Sequence, residues 1–201
     1  MSFERNRELM KLVHINVRGE KHGDEDETAV DLRFRANLSN DVLSEFSPTL
    51  KSSLYAKPDT PQQEIPDPNH LTEVKNPQLG AVKWALTYEC ARVVVHHGID
   101  GTNDLVFGIA RIKKFVITPK QGGTCEIQFL VQVHPDPKQS GMLLAILNQE
   151  VYVTIDPEGG EEEEDPQADF GEGANEIAEQ IAAQKDPVAR RGGRKQMALV
   201  E

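Results

Sequence analysis

Apolar residues fall at every second position along several stretches of this chain, and that period of two limits the folds open to it. From residue 28 to residue 38 the alternation is strict: Val30, Leu32, Phe34, Ala36 and Leu38 fall on one side, Asp31, Arg33, Arg35 and Asn37 on the other. Successive side chains of a strand point to opposite faces, so this stretch is predicted to be a half-buried strand with one core face and one charged, wet face. Residues 12–17 form an expected earlier strand, joined to it through a charged turn over 19–27.

After Leu38 the period changes. Asn40 or Asp41 can cap a helix, and Val42, Leu43, Phe46, Leu50 and Leu54 recur at helical spacing. Pro48 limits that helix, because proline cannot donate to the residue four back. A short turn ending near Phe46 is expected, then a second helix with Ser47 as cap and Pro48 in its first turn. Residues 57–77 contain five prolines and few apolar side chains, and read as an extended loop with no regular element.

Strands dominate again from residue 81, over 82–88, 91–97, 104–118, 123–133 and 150–155. The turns GIDGTND (98–104) and PKQGG (119–123) supply the glycines that tight reversals use, so successive hairpins and an antiparallel sheet follow. Between the last two strands, 136–149 carries Met142, Leu143, Ile146 and Leu147 at helical intervals, with Pro137 near the start. The predicted fold class is mainly β, α+β in detail: an antiparallel barrel or sandwich with two or three short helices and a disordered acidic C-terminal tail.

The alternation stops at Ile155. Residues 156–186 hold twelve acidic side chains against the single Lys185, a net charge of -11, which equals the formal charge of the whole chain. Residues 1–155 carry twenty acids and seventeen bases, or -3, and 187–201 carry four bases and Glu201, or +3. Two parts are expected: a β-rich domain over 1–155, containing the proline-rich loop, and a flexible tail over 156–201. The tail divides into an acidic, glycine-punctuated spacer, a short amphipathic helix at 174–185 with Ile177 and Ile181 on its apolar stripe, and a basic RRGGRK terminus. Phe170, Ile177 and Ile181 are the candidate partner-binding residues, for a protein partner. A solubilising tail is the plainer alternative.

Several classes of function find no support. Neither GxGxxG nor a Walker A pattern occurs, and nothing resembles a nucleophile elbow around Cys90 or Cys125. His96, His97 and His134 invite a metal reading. However, neighbours on a strand face opposite ways and no cysteine or carboxylate completes a ligand set, so neither a metal nor a cofactor is expected. The N-terminus mixes charges through its only apolar stretch, no run approaches the roughly 18 apolar residues of a membrane span, and two cysteines do not make a disulfide scaffold. A non-enzymatic protein of the cytoplasm is expected, with no membrane partner and with homo-oligomerisation left open.

The sharpest candidate chemistry is a basic sheet face. Arg33 and Arg35 project from one strand, Arg111, Lys113 and Lys114 lie on another, and Lys120 sits in the turn that follows. On neighbouring strands facing the same way, these cations would suit the phosphates of single-stranded nucleic acid, with salt-sensitive binding. Lys113 and Lys114 point to opposite faces unless a bulge intervenes, so one of them, Lys113, is assigned to the face. Aromatic platforms usually accompany such binding, and Trp84, Tyr88, Tyr55 and above all Tyr152, opposite in phase to Val151 and Val153, are the candidate exposed rings. The expected nucleic-acid-binding residues are therefore Arg33, Arg35, Arg111, Lys113, Lys120 and Tyr152. Ordinary solvated positions on half-buried strands are the plainer reading.

The stretches KKFVITPKQGGTCEIQFLVQVHPDPKQSG and LLAILNQEVYVTI, together with DLRFRANLSNDVLSEFSPTLKSSLY nearer the N-terminus, resemble accessory proteins carried by tailed bacteriophages and prophages. That resemblance implies a protein of the host cytoplasm concerned with DNA metabolism, with countering host defence or with virion assembly. The plan of a small β barrel followed by an acidic, glycine-bearing tail is also loosely similar to single-stranded DNA-binding proteins. Their acidic run commonly lies at the extreme C-terminus, whereas this chain continues to RRGGRK and MALVE.

Overall fold

The computed structural model describes residues 2–22, 25–58, 71–98, 101 and 103–160. Phe170, Ile177, Ile181 and the expected helix at 174–185 lie outside the described residues. The described elements all belong to one compact unit, Met1–Glu162.

In chain order the elements are β1 (Arg5–His22), β2 (Glu25–Ser39), α1 (Leu43–Phe46), α2 (Leu50–Leu54), β3 (Tyr55–Ala56), β4 (Glu73–Val74), β5 (Val82–Trp84), β6 (Tyr88–His96), β7 (Leu105–Lys120), β8 (Thr124–Val133), α3 (Pro137–Ala145) and β9 (Glu150–Asp156). Hydrogen-bonded neighbours run β5-β7-β6-β9-β1-β2-β8, and β8 pairs back with β7. Six antiparallel strands thus close into a barrel. Closure leaves no free sheet edge along the ring, and β5 is added outside it, beside the second half of β7.

The alternation of β2 maps onto the barrel as expected, with Val30, Leu32, Phe34, Ala36 and Leu38 all buried. The same period fills the interior from β7 with Ile112, Phe115 and Ile117 and from β8 with Cys125, Ile127, Phe129 and Val131. Phe3, just ahead of β1, meets Phe115 at 5.3 Å and Phe129 at 5.5 Å between ring centroids. Phe115 in turn stacks on Phe129 at 5.6 Å. Each ring removed from water stabilises the fold by about 1.5–3 kcal/mol, and the paired rings add a smaller geometric term.

Long strands bend round so small a barrel at bulges, where one strand carries an extra residue. One lies at Arg7 (φ 48°), between the Arg5 and Glu8 pairs with β9. Another lies at Lys114 (φ 58°), between the Lys113 and Val116 pairs with β8.

Both ends of the barrel are capped. At one, Tyr55 donates its hydroxyl to the Thr124 carbonyl and accepts from the Lys120 N–H (3.0 Å), while Asn40 donates from its side chain to the Leu71 carbonyl at 2.6 Å. The turn beside them holds Gly122 and Gly123 at φ 88° and 77°. Both donate to the Thr72 carbonyl, and a Cβ on Gly123 would press to 3.0 Å from the Thr72 methyl. At the opposite end, α3 opens with a reciprocal capping box between Asp136 and Gln139, and buries Leu143 together with Ile146 just beyond it.

Four expectations differ from this structure. The charged turn over 19–27 is mostly strand: backbone pairing continues from Gly19 with Thr28 to His22 with Glu25. Within the proline-rich loop, Glu73–Val74 pairs with Tyr55–Ala56, so a regular element does form there. The second helix starts at Leu50 rather than in the turn of Pro48. The expected strand over 82–88 breaks after Trp84, and Tyr88 begins β6 instead.

Candidate functional site

Pairing registers decide which cations share a surface. Across β2, β8 and β7 the outward positions align in rows: Asp31, Gln132 and Arg111; Arg33, Leu130 and Lys113; Arg35, Gln128 and Val116; Asn37, Glu126 and Thr118. β5 extends the third row, because Lys83 faces Val116. Arg33, Arg35, Arg111 and Lys113 therefore occupy one continuous outer wall, with Lys120 at its end. The bulge changes the count. Ile112 and Phe115 are both buried while Lys113 and Lys114 between them are not, so the extra residue brings both lysines to the outside.

These cations are not equally available. Arg111 is paired with Glu89. Lys120 bridges Glu126 at 2.9 Å and Asn37 at 2.7 Å. Lys113 donates to the Gln132 side-chain carbonyl at 2.6 Å, and the Gln132 amide is held by Glu20 at 3.2 Å. Burial pushes the Lys113 ammonium below its ordinary value, opposed by Asp31 and reinforced by the like charges of Arg111, Arg18 and Lys114. Glu126 titrates below the ordinary carboxylate range: burial raises it, but the hydrogen bonds from Lys120 and Gln128 and the charges of Lys120 and Arg35 outweigh that. By contrast Arg33, Lys83 and Lys114 are exposed and make no ion pair among the described residues.

Those three unpaired cations surround a cleft of about 410 Å³. It runs across the outer wall from the end of β5, over the Lys114 bulge of β7, to β8 and Arg33 of β2. Trp84 lines it, half-buried, with its indole edge-on to Phe46 at 6.2 Å. Leu130, from an outward row, supplies apolar lining and Gln128 a polar group, while Phe115 and Phe129 beneath them belong to the barrel interior.

Tyr152 does not join this wall. It lies on β9, three strands from β8 in either direction round the ring, facing Leu9 and His96. Its phase prediction holds, since it is 49% exposed, but the distance round the barrel separates it from the basic rows. Tyr55 is a second correction: expected as an exposed ring, it is fully buried, because its hydroxyl is needed between Thr124 and Lys120. Tyr88 packs edge-on to Phe115 and accepts from the Phe3 N–H at 2.9 Å.

Near Tyr152 runs a hydrogen-bonded chain of three residues. Asp104 meets His96 Nδ1 at 2.6 Å, and His96 Nε2 meets the Thr154 hydroxyl at 2.8 Å. Thr154 also accepts from the Arg7 N–H at 3.1 Å, which ties the bulge of β1 to β9. Asp104 resists protonation: burial raises its pKa, but the hydrogen bonds from His96 and from the His97 N–H, with the charges of His96 and Arg7, bring it below the ordinary carboxylate value. Among the described residues no group of three His, Cys, Asp or Glu side chains is arranged to hold a metal. No described helix is long and apolar enough to cross a membrane.

Sequence reasoning missed Lys83 and left out Lys114. A three-residue strand gives no alternation to read, and a bulge is invisible to a period of two. The Lys83–Trp84 pair, a cation beside the chain's single tryptophan, is the one local signal that could have drawn attention to the cleft. No family model, curated protein or solved structure matches this chain.

Proposed function

We propose that this is a non-enzymatic, phage-type accessory protein that binds single-stranded nucleic acid on the outer wall formed by β2, β8, β7 and β5. The observation that carries this reading is the convergence of Arg33, Lys83 and Lys114, none of them ion-paired among the described residues, around a cleft lined by Trp84. In a chain of net charge -11, three cations round an aromatic side chain, with no ion pair among the described residues, are the feature most suited to a phosphate backbone and a stacked base. The acidic segment over 156–186 weakens that binding or recruits partners. Deleting residues 161–201 should tighten binding to an oligothymidylate at low salt, and a Lys83→Glu/Lys114→Glu variant should abolish it. Absence of binding by both the full chain and the shortened one at low salt would sink the reading.

A second reading, a protein-interaction module that inhibits a host factor or takes part in virion assembly, draws on the far wall. There Leu9 (44% exposed), Val106 (45%) and Tyr152 lie in adjoining rows of the sheet. Isolation of bound proteins from infected cells tests it. The reading requires a partner that Tyr152→Asp, or Ile177→Asp with Ile181→Asp, releases.

A further inference from the structure

The cleft beside Trp84 is more specific than a basic wall needs to be. A strand bound through phosphates alone requires cations along a track, with no enclosure and no apolar lining. Here the three cations that make no ion pair among the described residues come from three different strands, Arg33 from β2, Lys83 from β5 and Lys114 from β7, and Trp84 and Leu130 give the space between them an apolar lining. The volume of about 410 Å³ falls within the roughly 300–1,000 Å³ typical of small-molecule sites.

The lining also carries a directional polar group. The Gln128 side-chain nitrogen donates to Glu126 at 2.9 Å, and Lys120 fixes Glu126 in turn. The Gln128 carbonyl oxygen is then the atom left to accept from a ligand. A site with an aromatic wall, an acceptor for a ring N–H and three cations fits a flat heterocycle bearing a phosphate. A fatty acid would bring the negative charge without the donor, and an inorganic anion would leave the apolar lining wet.

We propose that this cleft is a nucleotide seat, which takes one base with its phosphate: the base against Trp84 and Leu130, a ring N–H on Gln128, and the phosphate among Arg33, Lys83 and Lys114. It deepens and rests on the nucleic-acid reading of this wall, but the same chemistry is met by two sources, a free mononucleotide or one residue of a strand.

The chain contains a single tryptophan, so its intrinsic fluorescence reports on the cleft directly. The full-length protein is titrated with thymidine 5′-monophosphate, whose base carries a ring N–H, with inorganic phosphate and with a labelled oligothymidylate. Trp84 emission follows the cleft and label anisotropy follows the strand. The seat requires saturable quenching by the mononucleotide or by the strand, none by inorganic phosphate, and weakening of at least tenfold in Gln128→Leu and in Lys83→Glu/Lys114→Glu. All three positions are outward-facing, and circular dichroism checks that the fold is retained. A base stacked on the indole also makes Trp84→Ala weaken strand binding about 5- to 150-fold.

Quenching by the mononucleotide without strand binding keeps the seat and overturns the nucleic-acid reading. Strand binding that leaves Trp84 emission and the Trp84→Ala affinity unchanged overturns the seat and keeps the wall. No binding of either probe removes both.

Discussion

On the proposed nucleic-acid reading, salt dependence separates the cations that would face a strand from those paired within the protein. Each phosphate contacted on a single strand contributes about -0.7 to the slope of log affinity against log salt. A strand that brings a phosphate to each of Arg33, Lys83 and Lys114, one from the seated nucleotide and two from its neighbours, gives a slope of about -2.1, so raising salt fourfold, from 50 to 200 mM, should weaken oligothymidylate binding by about 20-fold. The five cations expected from the sequence, Arg33, Arg35, Arg111, Lys113 and Lys120, would give about -3.5 and a loss of about 130-fold over the same range. The structure explains the smaller value. Arg111 is held by Glu89 and Lys120 by Glu126 and Asn37, while Lys113 lies within the field of Asp31 and Arg35 within that of Glu126. A cation with a carboxylate partner on its own surface has little counterion atmosphere to exchange. The assay is fluorescence anisotropy at four or five salt concentrations, on the full chain and on single variants. Lys114→Gln should flatten the slope by about 0.7, and Lys120→Gln should leave it within error. Equal effects from the two variants, or a native slope of -3.5 or steeper, would refute the assignment of the free cations.

Two further outcomes concern stability against pH. Burial pushes both the Cys125 thiol and the Tyr55 hydroxyl up to about 12, from 9.0 and 10.0, with the Lys120 N–H opposing the shift at Tyr55. The folded chain then holds protons that the unfolded chain releases, so stability should fall as pH rises from about 9 towards 12. Cys125→Ala should flatten the first part of that fall in urea denaturation curves, and an unchanged profile would contradict the burial argument. Asp104 has the opposite sign: its lowered pKa gives stability that is present above 3.8 and lost as pH falls below it. Asp104→Asn should therefore lower the denaturation midpoint at neutral pH and lose part of its dependence between pH 4 and 2. A variant as stable as the native chain would show that the His96 and Thr154 contacts hold nothing in place.

The barrel was legible where residues alternate and obscure where pairing departs from alternation. Val30 to Leu38 could be assigned to the core side by side chain alone, because burial on one face imposes a period of two and the turns on either side are short. Closure by β7 against β8, and the place of β9 between β6 and β1, depend on long-range pairing that leaves no local trace. That is why the outward phase of Tyr152 reads correctly from the sequence while its place, two strands from the nearest basic rows, does not. Lys114 shows the same limit at the scale of one residue. Counting by twos sends it inward, and its left-handed backbone brings it out. Tyr55 was misjudged for a different reason: its ring follows a short helix, where exposure depends on which end of the barrel the helix covers.

The bulge at Lys114 also sets where the chain can change length. Between Lys113 and Val116, β7 holds one residue more than β8 needs, so Lys114 is spare to the sheet. Removing it would leave Ile112 and Phe115 pointing inward on consecutive turns of the pleat, whereas removing Ile112 would bring Lys113 into the core in its place. Loss of one lysine of the Lys113–Lys114 pair is thus tolerated, and loss of Ile112 or Phe115 beside them is penalised. The cleft can gain or lose a cation there while the interior of the barrel stays the same.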